Sequence, residues 1–363
     1  MSEMNSLGQS LWLDNLSRDI IESGELQSLI SLGITGITSN PSIFENSLVS
    51  DSYDRHIAKL SEKNDTMKVY EDLVCKDISD AADILRPIFN KTNGEDGYVS
   101  LEVSPLIGYD TDATIIEAKH LFTILNKPNV LIKVPATNEG IIAIEELIYA
   151  GVNINVTLIF SIEQYTHVQS AYIKGIKRRL EQGYDVSQIY SVASFFISRI
   201  DTAADALIVN QQSQSRDLLG QIAIANAKIA YNEFEKAFNS QEFISYKNQG
   251  ARVQRLLWGS TSSKNPNYSD LKYVNSLIGD FTINTLPQIT FEAFIDHGKA
   301  DNTIQMNLDE SFNYIKQLSN LGVKLDEITN KLLVDGVQQF ANSFTNLLTA
   351  LETKIGSKTQ ESK

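Results

Sequence analysis

Eight short apolar runs rich in β-branched residues recur through the first 290 residues of the chain, and each is followed by a stretch with helical spacing. Such runs read as buried strands, and their alternation with helices predicts βαβ units around a parallel sheet. The predicted strands are Ser10 to Asp14, Gly36 to Asn40, Tyr98 to Val103, Val130 to Val134, Val152 to Leu158, Ile189 to Ala193, Val253 to Trp258 and Phe281 to Thr285. Between the fourth and fifth, the stripe Ile141, Ile144, Leu147 and Ile148 predicts a helix from about Glu139 to Ala150, with Asn138 placed to cap it and Gly151 to end it. After the eighth strand the pattern turns helical for good, and Val337, Phe340, Ala341, Phe344, Leu347, Leu348 and Leu351 share a last apolar stripe.

Parallel strands must be covered on both faces, which leaves two common solutions, a closed barrel or an open doubly wound sheet. The open sheet normally carries a glycine-rich nucleotide loop, and this chain has neither GxGxxG after its first strand nor a Walker-type GK[ST]. The expected fold is therefore α/β, a (β/α)8 TIM barrel. A barrel needs about 250 residues, so part of the 363 residues here must be insertions. The helical segments Asp51 to Asn90 and Asp201 to Gln249, together with the C-terminal helix, are the expected additions. No low-complexity linker marks a second domain, so residues 1–355 read as one domain and 356–363 as a disordered tail.

With 45 acidic against 31 basic side chains the formal charge is -14, which argues against nucleic acid or an anionic membrane as a partner. An anionic substrate must then be held by a local basic pocket. The single cysteine, Cys75, excludes an internal disulfide framework and cysteine-rich metal sites. The N-terminal residues show no basic flank followed by an apolar run, and no window reaches the roughly 18 apolar residues of a membrane span, so the expected location is cytoplasmic. His56, His120, His167 and His297 are far apart, form no HxH or HExxH pattern, and read as surface or helix-face residues; only His297 comes near a predicted strand end. No metal site is expected.

Strand alternation points to the chemistry. In the fifth run Val152, Ile154, Val156 and Leu158 share one face while Asn153, Asn155 and Thr157 share the other. Glu102 in YVSLEV, Lys133 in VLIKVP, Asn40 in GITSNP and Asp14 in LWLD are likewise single polar groups in apolar strands, each near the C-terminal end, where barrel active sites sit. Lys133 alone could be an edge-strand lysine that blunts aggregation or snorkels to water, and Glu102 and Asp14 could merely pair with it. A buried ion pair is a poor reason to place acids on separate core strands. A desolvated amine with two carboxyl groups explains more, because the amine becomes nucleophilic and the acids can divide proton donation and removal. Ser194 and Arg199 after the sixth strand, with Ser262, Ser263 and Lys264 after the seventh, suggest an anion site.

Several motifs together carry a family resemblance. TSNPSIF (38–44), VSLEVSP (99–105) with YDTDATIIEAK downstream, VLIKVPATNEGI (130–141), GVNINVTLIFS (151–161) and SFFISRID (194–201) resemble transaldolase in order and spacing, over about residues 12–294. The segments RLLWGSTSSKNPNYSD and FTINTLPQIT look most like the longer transaldolases of certain bacteria and plants. The resemblance implies that Lys133 forms a Schiff base with a ketose, that Asp14 is the base at the hydroxyl whose deprotonation breaks the carbon-carbon bond, and that Glu102 works through a water held by Thr157. It implies further that Asn40, Asn155 and Ser194 hold the dihydroxyacetone hydroxyls, that Phe196 shields the site, and that Arg199 and Lys264 take the phosphate. Many members carry an arginine where Lys264 aligns, so here a point charge replaces a bidentate fork. No cofactor is implied, since the protonated imine is itself the electron sink.

The implied reaction converts sedoheptulose 7-phosphate and glyceraldehyde 3-phosphate to erythrose 4-phosphate and fructose 6-phosphate, in the non-oxidative pentose phosphate pathway. The partners would be phosphorylated sugars, and the assembly a monomer or homodimer. A lyase that releases free dihydroxyacetone from fructose 6-phosphate would use the same lysine, but small lyases of this superfamily are much shorter and usually place a tyrosine where Glu102 stands. A sugar-phosphate binding barrel without chemistry would not need Lys133, Asp14 and Glu102 together.

Overall fold

All eight predicted runs are strands in the computed structural model, which describes residues 4, 6–62, 64–210 and 216–361. They are β1 (Gln9–Leu13), β2 (Ile34–Thr38), β3 (Val99–Glu102), β4 (Val130–Pro135), β5 (Ile154–Ile159), β6 (Ser191–Phe196), β7 (Arg255–Gly259) and β8 (Thr282–Leu286). They pair in sequence order, all parallel, and β8 returns to β1 to close the barrel. The expected (β/α)8 architecture is the observed one.

Helices surround the barrel and cross its C-terminal end. They are α1 (Arg18–Glu22), α2 (Glu25–Leu32), α3 (Pro41–Ser47), α4 (Asp54–Ser61), α5 (Thr66–Lys91), α6 (Thr111–Leu125), α7 (Asn138–Ala150), α8 (Ile162–Glu181), α9 (Ser198–Asn210), α10 (Ile222–Phe238), α11 (Gln241–Lys247), α12 (Lys272–Ser276), α13 (Gln288–His297), α14 (Leu308–Asn320) and α15 (Leu325–Glu361). The first expected insertion is α4 and α5; the second is α9 to α11, apart from residues 211–215, which lie outside the described ones. None of these helices is long and apolar enough to cross a membrane.

Local chemistry explains most boundaries. Helix α7 starts one residue earlier than its stripe suggests, because Thr137 rather than Asn138 is the cap: its hydroxyl accepts from the Gly140 N–H at 2.9 Å. Gly151 ends the helix with φ 92°, a left-handed position that a residue with a Cβ adopts only at a cost. Strand β6 runs on to Phe196, so Ser194 lies inside the strand and not after it. Asn153 does not belong to the polar row at the C-terminal end. It precedes β5, and its side chain ties Pro128 and Tyr190 together at the opposite end of the barrel. The alternation also breaks at Leu158, where φ is 59° and the pairing with β6 shifts.

The barrel interior is layered. Toward the N-terminal ends Trp12, Phe89, Tyr98, Leu131, Tyr190, Val192, Leu257 and Ile283 form an apolar plug distinct from the main core. Trp12 donates its indole N–H to Asp96 at 2.8 Å, and Gly36 on β2 is a glycine for a reason: a Cβ there would sit 2.5 Å from the Trp12 ring. This plug closes the barrel interior toward the N-terminal ends, and the open cavity lies at the C-terminal ends of the strands.

Helix α15 crosses that C-terminal end. Its Ser343 hydroxyl meets Ser42 of α3 at 2.8 Å, Phe344 packs edge-on against Tyr70 of α5 at 5.2 Å, and Gly336 lies against Leu158. Phe340, Leu347 and Leu351 of the expected stripe are buried beneath it. The helix continues past Gly356, into the segment that the sequence assigns to a tail; residues 362 and 363 lie outside the described ones.

Candidate active site

A cavity of about 360 Å³ opens at the C-terminal ends of the strands. Its wall includes Asp14, Asn40, Lys133, Thr157, Ser194, Phe196, Arg199 and Lys264, so eight of the ten residues singled out in the sequence converge on one space. The other two, Glu102 and Asn155, stand immediately behind it.

Lys133 is buried in the middle of β4, in register with Glu102 of β3 on one side and Asn155 of β5 on the other. Its Nζ donates to the Ser39 carbonyl at 2.8 Å and approaches Glu102 Oε2 at 3.4 Å. The Glu102 contact is an ion pair without a hydrogen bond, and Oε2 has no hydrogen-bond partner. Burial pushes the Glu102 carboxyl above the ordinary carboxylate range, the Lys133 charge pulls it back, and the Asp14 charge adds to the rise. Glu102 also borders a second, smaller cavity of about 40 Å³ on the flank of the barrel.

Asp14 follows β1 directly. Desolvation raises its pKa despite several opposing influences: the Lys133 charge, a 2.9 Å hydrogen bond from Thr38 Oγ1, and the Arg199 and Lys264 charges. Because Thr38 has one hydroxyl proton and gives it to Asp14, the 2.6 Å contact between Thr38 Oγ1 and Thr285 Oγ1 makes Thr285 the donor in that pair. Neither threonine is singled out by sequence, since threonine is common in strands and carries no signal of its own.

On β5 and β6, Asn155 is spent on two neighbours: it donates to Ser100 Oγ at 3.0 Å and accepts from Ser194 Oγ at 2.7 Å. Thr157 Oγ1 is buried without a partner. Asn40 caps α3 by accepting from the Ile43 N–H at 3.1 Å while its side chain borders the cavity. Phe196 packs against Phe160 at 5.2 Å, and the Arg199 guanidinium lies 5.5 Å from the Phe196 ring centre. Arg199 belongs to the first turn of α9, has no carboxylate within ion-pair distance among the described residues, and is partly desolvated. Lys264 is exposed, its Nζ 2.8 Å from Ser262 Oγ. Thr38, Ser260, Ser262, Thr285, Pro287, and Gln339 and Phe340 of α15, also line the wall.

The four histidines all lie on helices, as expected, and His297 closes α13 in contact with Asp270 and Asp296 on the surface. Among the described residues no group of three His, Cys, Asp or Glu could hold a metal ion. The site thus offers a buried primary amine, two carboxyl groups whose pKa values burial raises, several hydroxyls, and two cationic side chains on the wall. Those are the parts for addition of an amine to a carbonyl, with proton transfers on either side of it.

Comparison with known proteins agrees with this geometry. The family model described as Transaldolase/Fructose-6-phosphate aldolase matches residues 11–351. A protein named Transaldolase from Trichodesmium erythraeum is 45% identical over 367 residues, 97% of each chain. Transaldolase 2 of a Nostoc species is 44% identical over 97% of each chain, and the Transaldolase of Thiobacillus denitrificans is 46% identical over 95% of this chain and 98% of its own. The chain belongs to the transaldolase/fructose-6-phosphate aldolase family.

Proposed function

We propose that the chain is a transaldolase that moves a dihydroxyacetone unit between sugar phosphates through a Schiff base on Lys133. The observation that carries the reading is the buried Lys133 amine with the Glu102 carboxyl at 3.4 Å and Asp14 in the same cavity. The names of the relatives support the transfer reaction over simple cleavage.

In this mechanism Lys133 gives its ammonium proton to Glu102, the free amine adds to C2 of the ketose, and a proton passes from the nitrogen to the C2 alkoxide to make it a hydroxyl. Glu102 returns the proton to the departing hydroxyl, which leaves as water, and a protonated imine remains. The unpartnered oxygens of Glu102 and Thr157 suit a bridging water in this step. Asp14 then takes the proton of the C4 hydroxyl; the C3–C4 electron pair moves into the imine, and the shortened aldehyde departs. The enamine stays on Lys133 until an acceptor aldehyde arrives, whose new alkoxide is protonated by Asp14. Asn40 and Ser194 hold the three-carbon unit, and Asn155, whose Oδ1 accepts from Ser194, positions that hydroxyl. Phe196 keeps water from the enamine, and Arg199 with Lys264 take the phosphate. The proposed setting is the cytoplasm, as a monomer or homodimer; the acidic net charge supports a reading without nucleic-acid or membrane partners.

With fructose 6-phosphate as donor, sustained release of glyceraldehyde 3-phosphate should require erythrose 4-phosphate, with a seven-carbon ketose phosphate formed in equal amount. Turnover without any acceptor, with free dihydroxyacetone accumulating, would make the protein a lyase.

A further inference from the structure

We propose that Gln339, supplied by the C-terminal helix more than two hundred residues away in sequence from Lys133, distinguishes seven-carbon from six-carbon donors at the mouth of the site. This rests on the transaldolase reading. Gln339 and Phe340 are the only α15 residues on the cavity wall, and they approach it from the solvent side, since the strands supply the floor. The helix that carries them is pinned by Ser343 on Ser42 and by Phe344 on Tyr70, so their position is fixed by packing. Phe340 is buried and structural. Gln339 is exposed and makes no side-chain hydrogen bond among the described residues, whereas its neighbour Gln338 is engaged outward with Asn342 at 2.9 Å. A free carboxamide over a sugar site offers two donors and an acceptor to hydroxyls.

The geometry of the substrates gives that carboxamide a task. The imine carbon is fixed at Lys133, the C3–C4 bond at Asp14, and the phosphate at Arg199 and Lys264. A seven-carbon donor therefore carries its additional hydroxyl-bearing carbon between Asp14 and the phosphate. Held at both ends, the longer chain has slack that must bow outward, because the floor is closed by the strands and the aromatic plug beneath them. The mouth, where Gln339 stands, receives it.

The experiment compares kcat/KM for sedoheptulose 7-phosphate, with glyceraldehyde 3-phosphate as acceptor, and for fructose 6-phosphate, with erythrose 4-phosphate, in the wild type and in Gln339→Met. Methionine keeps the length and loses the hydrogen bonds. The ratio of the two values should fall roughly 3- to 10-fold against the seven-carbon donor, the size of one neutral hydrogen bond, with the melting temperature unchanged. An unchanged ratio, or equal losses on both donors, overturns the inference. Failure of the wild type to transfer to either aldehyde would instead overturn the function on which it rests.

Discussion

Arg199 and Lys264 both border the cavity, yet their surroundings assign them very different weights. Arg199 is partly desolvated, lies beside the Phe196 ring, feels the Asp14 charge only through space, and forms no ion pair among the described residues, so a phosphate dianion would be its first contact partner of opposite charge. A charge-assisted hydrogen-bonded pair of this kind is worth about 1.5–3 kcal/mol. At 1.4 kcal/mol per decade, Arg199→Ala should lower kcat/KM for fructose 6-phosphate roughly 10- to 150-fold. Lys264 is exposed and already in contact with Ser262, so its contribution is screened; Lys264→Ala should cost less than about fivefold, and that loss should fade as salt is added. The assay is the two-substrate transfer reaction with fructose 6-phosphate and with unphosphorylated fructose as donors. It should be run on the alkaline plateau, because the Arg199 charge also helps to hold down the Asp14 pKa against burial. Equal losses on the two donors would mean that Arg199 shapes the site rather than binding phosphate.

Thr38→Val removes a hydrogen bond that opposes the burial-driven rise of the Asp14 pKa, and Asp14 must be ionised to act as base. The acid limb of the kcat/KM profile should therefore move to higher pH, and a profile that stays in place would contradict the role of Thr38. Asp201 on α9 accepts from the Ala223 N–H and the Tyr273 hydroxyl, and burial pushes its pKa from 3.8 up to about 6. Such a raised carboxyl carries no penalty below its unfolded pKa and a growing one as pH rises through the folded value. Asp201→Asn should thus gain stability relative to wild type between pH 4 and pH 7, on the order of 3 kcal/mol, by urea unfolding; a difference independent of pH would refute it. Transfer activity should survive exhaustive chelation, and loss on EDTA treatment that a divalent ion restores would require a metal site nowhere suggested by the side chains described.

The strands were legible because each is a β-branched run bounded by polar punctuation, and the central site residues were legible because each interrupts such a run. Lys133, Glu102 and Asn155 stand out in apolar strands, and the register that makes them neighbours follows from the parallel barrel. Polar residues inside strands blur the pattern. The apolar pattern ends at Ala193, whereas strand β6 runs on through Ser194, which faces the cavity, and Phe195, which packs against Trp258. Asn153 shares the alternation of Asn155 and Thr157, but it precedes β5 at the opposite end of the barrel, where it binds backbone instead. Asn138 is the stronger capping residue type of the adjacent pair, yet Thr137 holds the cap position. Thr38, Thr285 and Gln339 could not be read, since the first two look like ordinary strand residues and the last reaches the cavity only through the docking of α15 across the barrel.

The central claim is that Lys133 is the nucleophile, and the direct measurement is borohydride reduction during incubation with fructose 6-phosphate, followed by peptide mass mapping. The wild type should carry a three-carbon adduct on the peptide spanning residues 130–137, because its enamine waits there after the aldehyde has left. Lys133→Ala should remain folded and unlabelled. Asp14→Ala, able to form the imine but not to break the carbon-carbon bond, should trap the whole six-carbon sugar phosphate on the same peptide, with turnover reduced about 10²- to 10⁴-fold. A label on any other peptide would remove Lys133 from the mechanism, and a three-carbon adduct formed at near-normal speed by Asp14→Ala would remove Asp14.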